Sequence, residues 1–208
     1  MGPIAMVGTE SPELVATCET ELIQRCQQGD TSAFESLVKK FERKVFGLIY
    51  QIVRSSAEVE DIAQEVFTKI YFSLPQFRLE ASFEAWLYRI TVNQCYDFLR
   101  KRKRTLQVTE ADLSEEEIRT FELLGSVTQP PYPDVSKRLE LQQTAERLLD
   151  QLSPRDRSLL ILKEIEEFSI AELQEIFATS PSAIKLRLFR ARNHLRKIYA
   201  QRLKKRGQ

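Results

Sequence analysis

Phe34, Leu37, Val38, Phe41, Val45, Leu48, Ile49 and Ile52 recur at steps of one, three and four residues, the signature of one face of an α-helix. No stretch of the chain alternates apolar and polar residues as a strand would, and glycine and proline fall between the periodic segments. The expected fold class is therefore all-α. At 208 residues, with 42% hydrophobic and 29% charged side chains, the chain is long enough for two small helical domains.

The punctuation divides them. A first helix is expected over about "ETELIQRCQQ", stopped by Gly29, and Asp30 is placed to cap the long second one. Ser56 is placed to cap a third, which Pro75 ends, and Ser82 a fourth that carries "FEAWLYRITVNQCYDFLRKRKR". The prolines of "SVTQPPYPDV" cannot continue a helix, so a flexible acidic, Pro-containing linker is expected over 105–137, joining domains at 20–104 and 138–208; residues 1–19 read as a disordered leader. A coil of the linker's length spans ~30 Å on average and roughly 100 Å at full stretch. Beyond it, a helix is expected over "VSKRLELQQTAERLLDQL". Ser153-Pro154 then opens another, Ser169 and Glu172 form a capping box, and Ser180-Pro181 cap the last helix after the short turn "ATS". Two helices meeting across so short a turn match a helix-turn-helix.

The formal net charge of +1 conceals a blockwise distribution. Arg100 to Arg104 is wholly basic and the C-terminal helix ends on a second basic run, whereas the connector is acidic. Basic, acidic and basic blocks suggest two modules that face polyanions. Cys18, Cys26 and Cys95 are too scattered for a disulfide framework or a metal site, and Cys95 reads as a small core hydrophobe. The N-terminal stretch lacks the pattern of a secretory signal and nothing is long and apolar enough to span a bilayer, so a cytoplasmic protein is expected. His194 is the only histidine and has no evident catalytic partner, and no Gly-rich phosphate loop occurs. No metal, cofactor or small-molecule substrate is indicated, and the chain does not read as an enzyme.

On the last helix, 100° per residue sends Ile184, Leu188, Ala191 and Leu195 inward and Ser182, Lys185, Leu186, Phe189, Arg190 and Asn193 outward. Amide, hydroxyl and cationic groups near a helix N-terminus suit groove edges and phosphates, and Leu186 or Phe189 suits a thymine methyl. The charges alone favour a solvated surface; the paired caps turn the reading to DNA. Nearly half of the chain's Phe, Tyr and Trp residues lie between Phe67 and Phe98, next to the basic block. Most must be core, yet rings beside cations are also the chemistry of single-strand capture, because stacking a base on a ring returns ~1–3 kcal/mol, comparable with the cost of unstacking it.

"SAFESLVKKFERKVFGLIYQIV", "AEVEDIAQEVFTKIY", "FRLEASFEAWLYRITVNQCYDFLRKRKR" and "LSPRDRSLLILKEIEEFSIAELQEIFATSPSAIKLRLFRARNHLRK" resemble bacterial sigma factors of the extracytoplasmic-function group, over roughly 20–104 and 138–200. The resemblance implies a sigma-two domain that binds core RNA polymerase and melts the minus-ten element, and a sigma-four domain that reads the minus-thirty-five element of promoter DNA. It also implies an anti-sigma partner, which would be the means of any attachment to a membrane. It makes Asp61, Gln64 and Glu65 contacts to the polymerase; Phe77, Arg78, Ser82 and Phe83 the loop that captures a flipped base; and Asn93, Arg100, Lys101, Arg102, Lys103 and Arg104 further minus-ten contacts. Trp86, Leu87 and Ile90 are assigned to the core. Ser182, Lys185, Leu186, Arg187, Phe189, Arg190 and Asn193 become the minus-thirty-five face, with Arg187 a flanking phosphate contact. Where the family usually reads Gly-Val-Ser-x-x-Thr-Val-Lys-Ser-Arg-Leu, this chain has "ATSPSAIKLRL": Ala178 replaces the turn glycine, Ala183 lacks a hydroxyl and Leu186 replaces a small polar residue. These departures leave the helix-turn-helix intact and its preferred sequence open. The alternative is a helix-turn-helix regulator that acts without polymerase.

Overall fold

The computed structural model describes the backbone of residues 12–78, 82–110 and 144–206, and the side chains of 19–78, 82–105 and 144–201. All regular structure among these residues is helical. The first unit comprises α1 (Pro12–Gln27), α2 (Thr31–Val53), α3 (Val59–Ser73), a 3-10 turn (Leu74–Gln76) and α4 (Phe83–Glu110). The second comprises a helical stretch at 144–149, then α5 (Pro154–Glu164), α6 (Ile170–Phe177) and α7 (Pro181–Arg206).

Local chemistry sets most of these ends. Gly29 adopts φ 89° and closes the turn after α1. Asp30 caps α2 by accepting from the Ala33 amide at 3.1 Å, and hydrogen bonds from Ser32 and Arg25 hold its carboxyl well below the usual carboxylate range. Ser153 accepts from the Asp156 amide at 3.2 Å with Pro154 in the first turn, and Ser180 accepts from the Ala183 amide at 3.3 Å. The capping box is complete: Ser169 accepts from the Glu172 amide at 3.2 Å, and Glu172 accepts from the Ser169 amide at 2.8 Å.

Three boundaries differ from expectation. α1 begins at Pro12, a residue suited to a first turn, so the expected leader is helical from that point; its earlier residues lie outside the described ones. α3 starts at Val59 with Glu58 in the cap position and no side-chain cap bond, later than a start at Ser56 would give. α4 runs six residues beyond Arg104 to Glu110, because "TLQVTE" contains no Gly or Pro to stop it. The rest of the expected linker, 111–137, and the start of the helix expected after it lie outside the described residues.

The stripe on α2 buries Leu37, Phe41, Val45, Leu48, Ile49 and Ile52 against Ile62, Val66 and Ile70 of α3 and Leu87, Val92 and Cys95 of α4. Burial pushes the Cys95 thiol up to about 12, as befits a core hydrophobe rather than a reactive thiol. In the second unit Leu159, Ile161, Leu162, Leu173, Ile176, Ile184 and Leu188 form a continuous core. The two units also pack together: α2 meets α5, and α4 meets α6.

Candidate nucleic-acid interface

α7 presents the expected faces. Ile184, Leu188 and Ala191 are buried and Leu195 packs partly against them, while Ser182, Lys185, Leu186, Phe189 and Arg190 are exposed and Asn193 is half-exposed. Leu186 and Phe189 retain 47% and 61% of their surface in contact with solvent, much more than large apolar side chains need unless they face a partner. The helices α6 and α7 meet across Ala178, Thr179 and Ser180, and Ala178 takes φ 47°. This is the position where the family's pattern has a glycine, and the alanine adopts the positive φ at a steric cost. Arg187 is turned aside from that face. It donates to Asp156 of α5 at 2.9 Å and is half-buried, so the expected free phosphate contact is instead an ion pair that anchors α7.

In the first unit, Asn93 and Arg100 to Arg104 project from α4. Arg100 pairs with Asp97 one turn earlier, and Lys101 and Arg104 line a shallow groove between α3 and α4. The same groove contains two residues that sequence alone does not single out. Lys69 donates to the Gln94 side-chain oxygen, and Gln94 donates to Glu65. Glu65 is exposed on α3 like Asp61 and Gln64, and of the three it is the one that accepts from Gln94 of α4. Asp61, Gln64, Thr68, Tyr71 and Phe72 follow at helical spacing, and Tyr71 packs edge-on against Phe34 at 5.0 Å and against Phe72 at 5.4 Å.

The aromatic cluster requires a correction. Phe83 is the first residue of α4 and is buried among Phe41, Phe77 and Trp86, with ring centroids 5.4–5.6 Å away; it is a core ring, not a loop residue open to a base. Phe77 is also largely buried, at 7% exposure, and only its outer edge reaches a cavity of about 220 Å³ lined by Phe77, Arg78, Trp86, Arg89 and Glu175. The apolar surface of two phenyl rings makes burial more favourable than exposure. Conversely Trp86, assigned to the core, is only half-buried and walls that cavity; Leu87 is buried and Ile90 packs on the core as expected. Arg78 and Arg89 are exposed at its rim. Ser82 accepts from the Ala85 amide at 3.3 Å, capping α4.

Among the described residues no group of His, Cys, Asp or Glu is arranged to hold a metal, and no helix is long and apolar enough to cross a membrane.

Comparison with known proteins accounts for this arrangement. Residues 37–105 match the model of Sigma-70 region 2 and residues 142–195 that of Sigma-70 region 4. The chain is 32% identical over 180 residues to RNA polymerase sigma-H factor of Pseudomonas aeruginosa, covering 86% of this chain and 92% of that protein. It is 31% identical to ECF RNA polymerase sigma factor SigW of Bacillus subtilis (84% of this chain, 93% of that one) and 33% identical to the ECF sigma-E factor of Escherichia coli (82% and 88%). Among solved structures, sigma factor RpoE in complex with anti-sigma factor NepR from Bartonella quintana shares the fold at a TM-score of 0.63 and 23% identity, covering 80% of this chain and 96% of that one. CnrH in complex with the cytosolic domain of CnrY does so at 0.61 and 22%, covering 86% and 96%. The chain belongs to the extracytoplasmic-function group of the sigma-70 family of RNA polymerase sigma factors.

Proposed function

We propose that this chain is a promoter-specificity subunit that binds core RNA polymerase, holds the minus-thirty-five element on α7 and opens the minus-ten element beside α4. The observation that carries this reading is the pairing of two cationic surfaces within one sigma-family chain: the exposed Lys185, Leu186, Phe189 and Arg190 face and the Arg100 to Arg104 run. The first suits a major groove, where Lys and Arg reach guanine edges and phosphates and apolar side chains meet thymine methyls. The second contributes a salt-dependent phosphate grip.

Base capture falls to the cavity of Phe77, Arg78, Trp86 and Arg89, with Trp86 and the edge of Phe77 as the stacking surface and the two arginines as phosphate partners. Asp61 and Gln64 on α3 form the polymerase contact, extended by Tyr71 and Phe72; Glu65 acts from the groove side through Gln94. An anti-sigma protein is the expected inhibitor, and any hold at a membrane would run through it. The chain itself catalyses no reaction, since its work is binding.

The test is transcription from genomic DNA by core polymerase with and without this protein. Defined 5′ ends that appear only with the protein support the reading. Operator binding without any polymerase-dependent transcript would favour the stand-alone regulator.

A further inference from the structure

The outward face of α7 is built around apolar side chains. Ser182, Leu186 and Arg190, at steps of four, form one ridge of the helix, and Lys185, Phe189 and Asn193 form the next. The centre of each ridge is a large apolar side chain left in solvent, Leu186 at 47% and Phe189 at 61%, and both ends of each are polar. Two neighbouring cations are engaged elsewhere: Arg187 donates to Asp156 at 2.9 Å and Arg192 to Glu164 at 3.1 Å, both carboxylates on α5. Lys185 and Arg190 flank the apolar pair and stay exposed. Ile184, Leu188 and Ala191 seat the opposite side of α7 in the core, so the helix cannot rotate to bury Leu186 and Phe189 without exposing those three.

Three residues apart, Leu186 and Phe189 stand about 60° from one another around the helix axis and about 4.5 Å along it. Stacked base pairs are separated by about 3.4 Å. A helix lying in the major groove therefore sets the two side chains over neighbouring base pairs. The groups that bases present in that groove are hydrogen-bond donors and acceptors, with one apolar exception, the C5 methyl of thymine. A leucine or a phenyl ring laid over an adenine amine, a guanine carbonyl or a cytosine amine takes that group from water and returns no hydrogen bond. Laid over a methyl, it removes two apolar surfaces from water at once. At position 186 the family's pattern has a small polar residue, so this chain exchanges a hydrogen-bonding side chain for an apolar one at the centre of the face.

We infer that Leu186 and Phe189 are a specificity-determining pair, each reading the methyl of a thymine at one of two adjacent base pairs of the minus-thirty-five element, with Lys185 and Arg190 gripping the positions on either side. The inference rests on the reading of α7 proposed above and adds which bases it selects. The two cations supply the charge complementarity that brings a duplex to this face, and the apolar pair then discriminates among duplexes.

The experiment uses the full chain with core polymerase and duplexes randomised across the minus-thirty-five region. Selection by the wild type should enrich thymine at two adjacent base pairs. Deoxyuridine in place of thymidine at either one removes a methyl and leaves the pairing unchanged, and each replacement should weaken binding by the wild type about four-fold, the worth of one buried carbon. Leu186→Ser should abolish the effect of uracil at one base pair and keep it at the other, and Phe189→Ala should do the converse, so that the readout is a ratio of affinities for two duplexes and does not depend on how well either variant folds. A loss below two-fold for the wild type, or the same loss for wild type and both variants, overturns the assignment. Failure of the proposed function shows differently: core polymerase would then give no defined transcripts with the wild type, and the same uracil titration is run on the duplex that the chain selects alone. A chain that selects no duplex in either setting overturns both.

Discussion

The two units carry their candidate DNA-facing residues in opposite ways. On α7 the candidate contacts stand out from a helix whose other face is buried, so Lys185, Leu186, Phe189 and Arg190 can be altered without touching the core. Around the start of α4, ring and core are continuous: Phe83 packs Phe41 and Phe77, Phe77 packs Trp86, and only the outer edge of that stack meets the cavity. A groove reader needs a protruding surface, whereas a base trap needs an apolar recess, and a recess is made from core residues. Stability and recognition are therefore separable in the second unit and entangled in the first.

The largest effect that would sharpen this contrast is Phe83→Ala, which should cost about 3–5 kcal/mol in chemical denaturation because it opens a cavity among three aromatic rings. A cost below about 1 kcal/mol would mean that the ring is not core. Arg78→Ala, at the rim of the same recess, should leave the denaturation midpoint within about 0.5 kcal/mol and still impair opening of the minus-ten element, scored by permanganate reactivity of unpaired thymines. In the second unit, Lys185→Ala should weaken binding to the minus-thirty-five element by about 1–3 kcal/mol in a fluorescence titration with no loss of stability; a stability loss of that size would break the comparison. Each neutralisation within Lys101 to Arg104 should lower the slope of log affinity against log salt by about one for every phosphate left without its cation, uniformly across sequences. The smallest effect is Ala178→Gly, which should raise stability by about 1 kcal/mol, since glycine occupies φ 47° without the penalty that alanine carries.

How much was legible follows the same division. The helix caps at Asp30, Ser153, Ser169 and Ser180 were legible because capping is a contact between residues three apart, and the two faces of α7 because 100° per residue sorts them without knowledge of a partner. The start of α3 was not, because its cap position makes no side-chain bond to announce it. Nor was Arg187: its place beside the reading face says nothing of Asp156, which lies 31 residues earlier and accepts from its guanidinium. Phe77, Phe83 and Trp86 were identified as a cluster, yet which ring is buried and which lines a cavity depends on Phe41 from α2 and Glu175 from α6.

By itself the sequence determined that this chain is all-helical, that it has two cationic units, that its last two helices form a helix-turn-helix, and that it is related to the sigma factors. Those properties arise from periodicity, capping and local composition, which act over a few residues. Tertiary structure alone decided that Arg157 closes the end of α2, that Lys69 and Gln94 join the groove of the basic run, and that Glu175 walls the aromatic recess. Hydrogen bonds and burial at such separations depend on where whole helices come to rest, and a carbonyl or a ring has no address in the sequence until its partner has arrived.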